Sequence, residues 1–320
     1  MDSYPMDLTI TEEGKRLSFL KTRDWDDVYL AELAPDGASM KPPRRFTLDN
    51  RGIRSLDGWT SDSQAILFSS DRNGKAEVFR QGLKQSVGEP LVQGSQDNYN
   101  SAISPDRHWM LYLESTPTPL NLPDPPKRLM RRPPAGGSPE RVLEEPAGMS
   151  WEYRCPLQPG SQCVLGQHEG KDRVFYSLDP VRGKGEQLGK IEVDPNIFAG
   201  WNVSSDGSRL ALVGGGEKHK GRIELLNLRD GVWYSVSVER KWGDLQSIAW
   251  APDGNGYFVA SWWLPDSFNL LRVTLNGKAK PLLSNANRQW MTGPLPSPDG
   301  KYLAFEGHTS DSNVWMLEGF

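Results

Sequence analysis

Few side chains in this sequence are spaced for catalysis or metal binding. The four histidines, His108, His168, His219 and His308, fall in four different parts of the chain, and none has a His, Cys or Asp partner at metal-ligand spacing. The sequence contains no Gly-x-Ser-x-Gly nucleophile elbow, no kinase catalytic loop and no Walker A motif. We therefore expect no metal, no cofactor and no catalytic residue in these 320 residues.

Two glycine-rich segments come closest to a phosphate-binding loop. Residues 183–189 resemble the glycine motif of a phosphate-binding loop, but the spacing of the glycines is wrong and the pattern predicts no helix after them. These residues are therefore predicted to form a hairpin turn. Gly214-Gly215-Gly216 is interpreted as a loop that joins two strands. The paired carboxylates that a glycosidase needs cannot be located from this sequence.

Cys155 and Cys163 are the only cysteines and flank one turn. If Gln158-Pro159-Gly160 forms a three-residue loop, the two cysteines lie opposite each other on adjacent strands, where a cross-strand disulfide is possible. The alternative is that both are thiols in the core. A disulfide would indicate an oxidising compartment.

A turn motif repeats along the whole chain. Its seven copies start 49, 44, 53, 47, 47 and 46 residues apart. Proline presets the second turn position, Asp caps the turn and Gly takes the left-handed position that closes a hairpin loop. The copies are Thr11-Glu12-Glu13-Gly14, Thr60-Ser61-Asp62-Ser63, Ser104-Pro105-Asp106-Arg107, Leu157-Gln158-Pro159-Gly160, Ser204-Ser205-Asp206-Gly207, Ala251-Pro252-Asp253-Gly254 and Ser297-Pro298-Asp299-Gly300.

Aligned apolar columns follow each turn and predict strands. The third residue after the Gly position is Leu17, Ile66, Met110, Cys163, Leu210, Tyr257 or Leu303, and a second strand follows in each copy with the apolar residue Val28, Val78, Leu129, Val174, Ile223, Leu270 or Val314. The third copy is longer because of a proline-rich insert at 116–126, which predicts an extended surface loop. Four strands in each repeat of about 45 residues predict an all-β protein, a single seven-bladed β-propeller of four-stranded antiparallel blades spanning 1–320. The blades are predicted at roughly 8–48, 53–93, 98–144, 148–191, 198–238, 245–284 and 289–320. The last lacks its outer strand, which indicates either weak closure of the ring or a native chain with more upstream sequence.

Loops between the second and third strands, and those between blades, gather on one face of a propeller, where exposed aromatics can form a binding surface. Ordinary loop anchoring is the alternative for these side chains, and Trp59 and Trp250, just before two turns, are predicted to pack between blades. The residues predicted on this face are Arg23, Asp24, Trp25, Asp71, Arg72, Tyr99, Trp262, Trp263, Asp266, Trp290 and His308.

Charge and hydropathy argue against two further classes, nucleic-acid-binding proteins and proteins with a transmembrane helix. The formal net charge is −4, whereas a nucleic-acid-binding protein usually carries a basic surplus, so we expect no nucleic acid partner. No apolar run approaches the roughly 18 residues of a transmembrane helix, and no signal peptide is visible before Met6.

The repeat Ser297-Pro298-Asp299-Gly300-Lys301-Tyr302-Leu303-Ala304-Phe305 resembles that of TolB-type, WD-like propellers, although the Gly-His and Trp-Asp signatures of WD repeats are missing. Shorter stretches resemble the C-terminal propeller of bacterial, notably acidobacterial, serine/threonine protein kinases and winged-helix regulators. They are residues 14–21, 67–74, 128–131 and 310–318.

This resemblance implies a non-catalytic sensor or scaffold that binds a protein, peptide or small molecule on its loop face. It implies a periplasmic location if the propeller belongs to a membrane-anchored sensor, and a stand-alone relative would be cytoplasmic. The alternative is a propeller enzyme, a lyase or a glycoside-processing hydrolase, with its active site at the channel mouth. An apolar or mixed face favours the binding module, and converging acidic, His or Arg side chains favour the enzyme.

Overall fold

A computed structural model describes residues 5–48, 54–117, 125–146, 151–263, 267–285 and 291–318. Apart from two short 3-10 turns, Glu217–His219 and Arg240–Trp242, the regular structure in these ranges is β-strand. None of the helical segments in these ranges has the length and apolar character needed to cross a membrane. Most of the proline-rich insert lies outside the described residues.

The strands follow one another as β1 (Pro5–Ile10), β2 (Arg16–Glu32), β3 (Arg44–Arg45), β4 (Arg54–Trp59), β5 (Ala65–Ser70), β6 (Glu77–Gly82), β7 (Glu89–Val92), β8 (Asp97–Ile103), β9 (Met110–Ser115), β10 (Lys127–Arg132), β11 (Glu140–Glu145), β12 (Trp151–Arg154), β13 (Cys163–Glu169), β14 (Asp172–Asp179), β15 (Gly183–Glu192), β16 (Ala199–Val203), β17 (Arg209–Gly214), β18 (Arg222–Asn227), β19 (Trp233–Ser237), β20 (Asp244–Trp250), β21 (Tyr257–Trp263), β22 (Ser267–Val273), β23 (Ala279–Asn285), β24 (Met291–Pro296) and β25 (Tyr302–Glu318).

The described strands form six antiparallel sheets. Five are four-stranded blades, named here blade I (β4–β7), blade II (β8–β11), blade III (β12–β15), blade IV (β16–β19) and blade V (β20–β23). The all-β propeller of four-stranded antiparallel blades is therefore confirmed. Its seven sequence repeats are distributed over six sheets, because the first and seventh repeats share one sheet.

The shared sheet closes the ring. The second half of β2 pairs with the first half of β25, with Val28 opposite Glu306 and Glu32 opposite Tyr302. β3 pairs with β2 on the outside, and β24 pairs with β25 on the inside. This closing blade, made of β24, residues 302–307, residues 28–32 and β3, corrects the prediction of a last blade without an outer strand, because the first repeat supplies its two outer strands.

The remaining halves of the long strands extend beyond the ring as an arm, formed by β1, residues 16–21 and residues 313–318. Arg16 lies opposite Glu318 and Lys21 opposite Asn313. The arm is apolar yet exposed: Leu8 is 62% exposed, Val314 76% and Met316 58%. Residues 313–318 have no further strand beside them among the described residues, so one edge of the arm is free.

The predicted apolar columns form the core between the blades. Ile66, Met110, Cys163, Leu210, Tyr257 and Leu303 are each completely buried. Leu17, in the same column, is only half-buried because it lies in the arm. Trp59 and Trp250 pack between blades as predicted, and the indole N–H of Trp59 donates to the carbonyl of Leu295 at 3.0 Å.

The turn motif is held by its own polar side chains. In blade IV, the Ser204 hydroxyl donates to Asp206 at 2.6 Å and accepts the N–H of Arg209 at 3.0 Å. Gly207 takes the left-handed conformation, with φ of 71°. Arg107 and Ser63 occupy that conformation without being glycine, at φ of 62° and 60°. The sequence chemistry of the turn therefore acts as predicted.

A pair of lysine substitutions tests the arm. Val314 and Val78 hold the same position in the repeat, but Val314 is 76% exposed and Val78 is fully buried. We expect Val314→Lys to change the free energy of unfolding by less than about 0.5 kcal/mol, as surface substitutions do. Val78→Lys should cost more than about 3 kcal/mol, because it buries an unpaired charge. Thermal unfolding followed by circular dichroism measures both, and equal destabilisation by the two would show that the first and seventh repeats form separate blades.

Candidate binding channel

The innermost strands of all six sheets surround a central cavity of about 110 Å³. Small side chains dominate the position of the repeat that faces this cavity, which keeps the channel open. The residues at this position are Gly58, Ala102, Cys155, Asn202, Ala249 and Leu295. The sequence already contains this column of small residues, and that pattern is the signal that could have located the channel.

Asp57 is the carboxylate of the channel wall. Its Oδ2 accepts hydrogen bonds from the hydroxyls of Ser69, at 2.6 Å, and Ser101, at 2.8 Å. Ser101 belongs to blade II, so this carboxylate joins two blades. Burial raises the pKa of Asp57 to about 6, although these hydroxyls lower it.

Tyr153 lies further round the same wall. Its hydroxyl donates to the carbonyl of Asn100 at 2.6 Å, which joins blade III to blade II. Burial, reinforced by the nearby charge of Asp57, raises the pKa of Tyr153 well above its usual value. The phenol is therefore neutral at physiological pH. The channel wall thus contains the carboxyl group of Asp57 and the neutral hydroxyl group of Tyr153.

A disulfide forms part of this wall. Cys155 and Cys163 are bonded to each other, with their Cα atoms 4.2 Å apart. Cys155 directly follows Arg154 and Cys163 directly precedes Val164, and these two neighbours are paired across the two strands. The bond ties the inner strand of blade III to its neighbour across the turn. Cys155 lines the cavity, whereas Cys163 is completely buried.

The channel opens at the end where the repeated turns lie. The mouth combines one basic side chain, two carboxylates, an apolar side chain that is 39% exposed, and uncharged polar and proline side chains. Arg107 and Leu157 are the two largest of these, and both also line the cavity. The mouth is formed by Ser61, Asp62, Ser63, Arg107, Leu157, Gln158, Ser205, Pro252, Pro298 and Asp299.

Several residues predicted on the opposite, loop-bearing face serve packing instead. Arg72 stacks over the ring of Phe79 at 4.1 Å, and its backbone N–H bonds to Ser70. Tyr99 packs against the core between blades II and III. Asp71 is half-buried in the turn beside Arg72. Packing therefore accounts for Arg72, which lies in a turn, and for Tyr99, which lies in β8.

His308 belongs to a polar seam between the closing blade and blade I. His308 Nδ1 lies 2.9 Å from Asp26 Oδ1. Two residues earlier in β25, Glu306 Oε1 accepts the N–H of Leu56 at 2.6 Å and the hydroxyl of Ser55 at 3.2 Å. Burial raises the pKa of Glu306 to about 7, with Asp26 and Asp57 adding to the shift. Glu306 thus fastens the ring, a role that sequence reasoning missed.

The remaining predicted residues are divided between strands and undescribed segments. Trp25 is half-buried and lies opposite Thr309 in the β2–β25 ladder. Trp262 stacks on Phe268, with ring centres 5.7 Å apart. Arg23, Asp24 and Trp263 lie in strands, and their side chains are outside the described part of the structure; Asp266 and Trp290 lie outside the described residues altogether. The predicted face is therefore not brought together as one described site.

Carboxylates and histidines do not assemble into a metal centre in the described ranges. No group of three or more His, Cys, Asp or Glu side chains there is placed to hold a metal ion. The channel wall itself combines small, apolar and polar side chains, and among the described residues that line it Asp57 is the only carboxylate.

Solved structures share this architecture. A putative TolB from Agrobacterium tumefaciens has a TM-score of 0.63 at 13% identity, over 89% of this chain and 99% of that chain. TolB from Acinetobacter baumannii has a TM-score of 0.58 at 15% identity, over 93% of this chain and 64% of that one. A prolyl endopeptidase has a TM-score of 0.51 at 11% identity, and this chain covers 46% of it. The chain therefore has the fold of a TolB-like β-propeller.

Comparison by sequence gives no match to any family model. Likewise, no curated protein matches the chain.

The raised pKa of Asp57 predicts a pH-dependent stability. A carboxyl whose pKa rises from 3.8 to about 6 on folding stabilises the fold below pH 4 and loses that contribution as the pH rises through 6. We expect Asp57→Asn to raise stability at pH 8 by up to about 2–3 kcal/mol relative to wild type and to change little at pH 4.

Urea unfolding at the two pH values measures this difference. Glu186→Gln, at an exposed glutamate, is the matched control. Equal destabilisation of Asp57→Asn at both pH values would contradict the pKa assignment, because it would indicate a charged carboxylate that the hydroxyls fully stabilise.

Proposed function

We propose that this propeller is a non-catalytic binding module that holds a segment of a partner protein at the channel mouth. The observation that carries the proposal is the mixed lining of the concave site, to which all six sheets contribute. A cavity of about 110 Å³ is smaller than the roughly 300–1,000 Å³ of a small-molecule pocket, but it suits one inserted side chain. The rest of the partner then lies across the mouth.

The chemistry of the mouth favours a polypeptide over a free small molecule. Arg107 and Ser205 offer hydrogen-bond donors, and the apolar surface of Leu157 and Pro252 can pack against side chains. Asp57 lies deeper and can receive a donor from an inserted side chain. These groups fit an extended peptide that alternates polar and apolar contacts.

The sequence resemblance extends the proposal to signalling. The propeller is then the sensory part of a serine/threonine kinase or of a transcriptional regulator, placed outside the cytoplasm. The Cys155–Cys163 disulfide supports an oxidising compartment. The absence of a Gly-x-Ser-x-Gly motif from the sequence supports the choice of binding over peptidase chemistry.

Selection from a library of displayed linear peptides tests the site. Ala102 lines the channel, whereas Ala135 is exposed in the same blade, so Ala102→Trp and Ala135→Trp form a matched pair. Peptides selected on the wild-type protein should bind Ala102→Trp at least tenfold more weakly, because the indole fills the channel. They should bind Ala135→Trp with unchanged affinity, measured by fluorescence anisotropy.

Two outcomes contradict the proposal. Peptides that bind Ala102→Trp as well as wild type would place the partner elsewhere. Turnover in a screen of hydrolase and lyase substrates that is lost in Ala102→Trp would instead identify an enzyme.

A further inference from the structure

A second concave site lies between blades IV and V, around the triple-glycine loop. Gly214, Gly215 and Gly216 all have positive φ, at 77°, 78° and 109°. A Cβ on Gly214 would lie 2.5 Å from the carbonyl oxygen of Phe198, so the chain tolerates no side chain there. The glycines turn the chain sharply into the first 3-10 turn, Glu217–His219.

A buried histidine fixes this loop. His219 is 6% exposed, its Nδ1 lies 3.0 Å from Glu224 Oε1, and its Nε2 lies 2.8 Å from the carbonyl oxygen of Glu192. The Ser235 hydroxyl donates to the other oxygen of Glu224. Because His219 is held from both sides, its neighbours Lys218 and Lys220 stand at defined positions on the surface.

The resulting groove has a volume of about 560 Å³, within the range of sites that bind small molecules. Its walls come from the first 3-10 turn, which follows the triple glycine, and from the start of β18, the second 3-10 turn, the start of β20 and the end of β21. The lining residues are Glu217, Lys218, Lys220, Gly221, Arg222, Arg240, Gly243, Asp244 and Trp262.

The groove is basic in a chain whose net charge is −4. Lys220 pairs with Glu217 at 3.2 Å and with Asp244 at 3.4 Å. Arg222 and Arg240 are both exposed, and neither forms an ion pair within the described ranges. Two unneutralised guanidinium groups on one groove provide donors for an anion, because each can form paired hydrogen bonds to a carboxylate or phosphate.

Trp262 adds an aromatic wall to the charged groups. It is half-buried and stacks on Phe268 with 9° between the ring planes, which fixes the indole in one orientation. Tryptophan combines a large apolar surface with a polar N–H, so it can pack against the C–H face of a sugar ring. The carboxylates of Glu217 and Asp244 can accept hydrogen bonds from hydroxyl groups.

We propose that this groove binds an anionic saccharide, a sugar that carries a carboxylate or a phosphate. Arg222 and Arg240 bind the anionic group, Trp262 packs against the ring, and Glu217 or Asp244 accepts hydrogen bonds from its hydroxyls. The site is separate from the channel mouth and does not depend on the function proposed there, since Trp262 and the two arginines do not line the channel.

Titration calorimetry with defined probes tests the groove on the full chain. Glucuronate and glucose 6-phosphate supply the two anionic groups, and glucose and inorganic phosphate separate the contributions of the ring and the anion. We expect either anionic sugar to bind at least tenfold more tightly than both glucose and inorganic phosphate.

Matched substitutions locate the binding. Arg222→Gln and Arg240→Gln should each weaken binding of the anionic sugar about tenfold, whereas Arg229→Gln, at an exposed arginine in the β18–β19 turn, should leave it unchanged. Trp262→Leu should weaken binding of the sugars and leave that of inorganic phosphate unaffected. Thermal unfolding of each variant checks that it is folded.

Several results would overturn the proposal. No detectable binding of either anionic sugar would do so, and so would inorganic phosphate binding as tightly as glucose 6-phosphate. If the sugars do not bind, and an acidic peptide binds the wild-type protein but neither Arg222→Gln nor Arg240→Gln, the groove belongs to a protein partner instead.

Discussion

The ring is closed by the pairing of residues 28–32 with residues 302–306. Five blades form from strands that are consecutive in the chain, but the closing blade combines strands from the two ends. Val28 and Ala304 in this pairing are both fully buried, against Trp59 and Phe68 of blade I. If this ladder opened, blades I and V would each lose a neighbour and the channel would lose one wall.

Polar groups fasten the same ring where its blades meet. Glu306 accepts the backbone N–H of Leu56 across the seam with blade I, and Asp57 accepts the hydroxyl of Ser101 across the seam with blade II. Both carboxyls have raised pKa values because burial disfavours their charge. The residues that hold the blades together are therefore also those that make the ring sensitive to pH, and Asp57 is shared with the channel wall.

Repetition made most of the fold predictable from the sequence. The turn motif and the apolar columns located β4 to β24, since each repeat forms its own sheet and packs on its neighbours. The pairing of strands from the first repeat with strands from the seventh was not predictable. Leu17 and Val314 are apolar, like the residues at the same repeat positions that are buried in the other repeats. Which strand pairs with 28–32 depends on long-range closure, and local periodicity contains no information about it.

The candidate sites were predictable only in part. The spacing around one turn allowed a disulfide between Cys155 and Cys163 but left two core thiols as the alternative, and Trp262 was predicted on the loop face. The contacts that Asp57 and Glu306 make between blades were missed, since a single acid within a strand has no sequence signature. Arg222 and Arg240 line one groove but come from β18 and from the turn that follows blade IV, so no sequence motif joins them.

Cysteine cross-linking tests directly whether residues 28–32 pair with residues 302–306. In a background with Cys155 and Cys163 replaced by serine, Leu30→Cys with Ala304→Cys places the two thiols on directly opposed residues. We expect this pair to form an intramolecular disulfide on mild oxidation, visible on a non-reducing gel and by mass spectrometry. We expect no such bond for Leu30→Cys with Ser18→Cys, because Ser18 lies opposite Met316 in the arm. The reverse result, a bond between positions 18 and 30 and none between 30 and 304, would show that the first repeat folds back on itself as a separate blade.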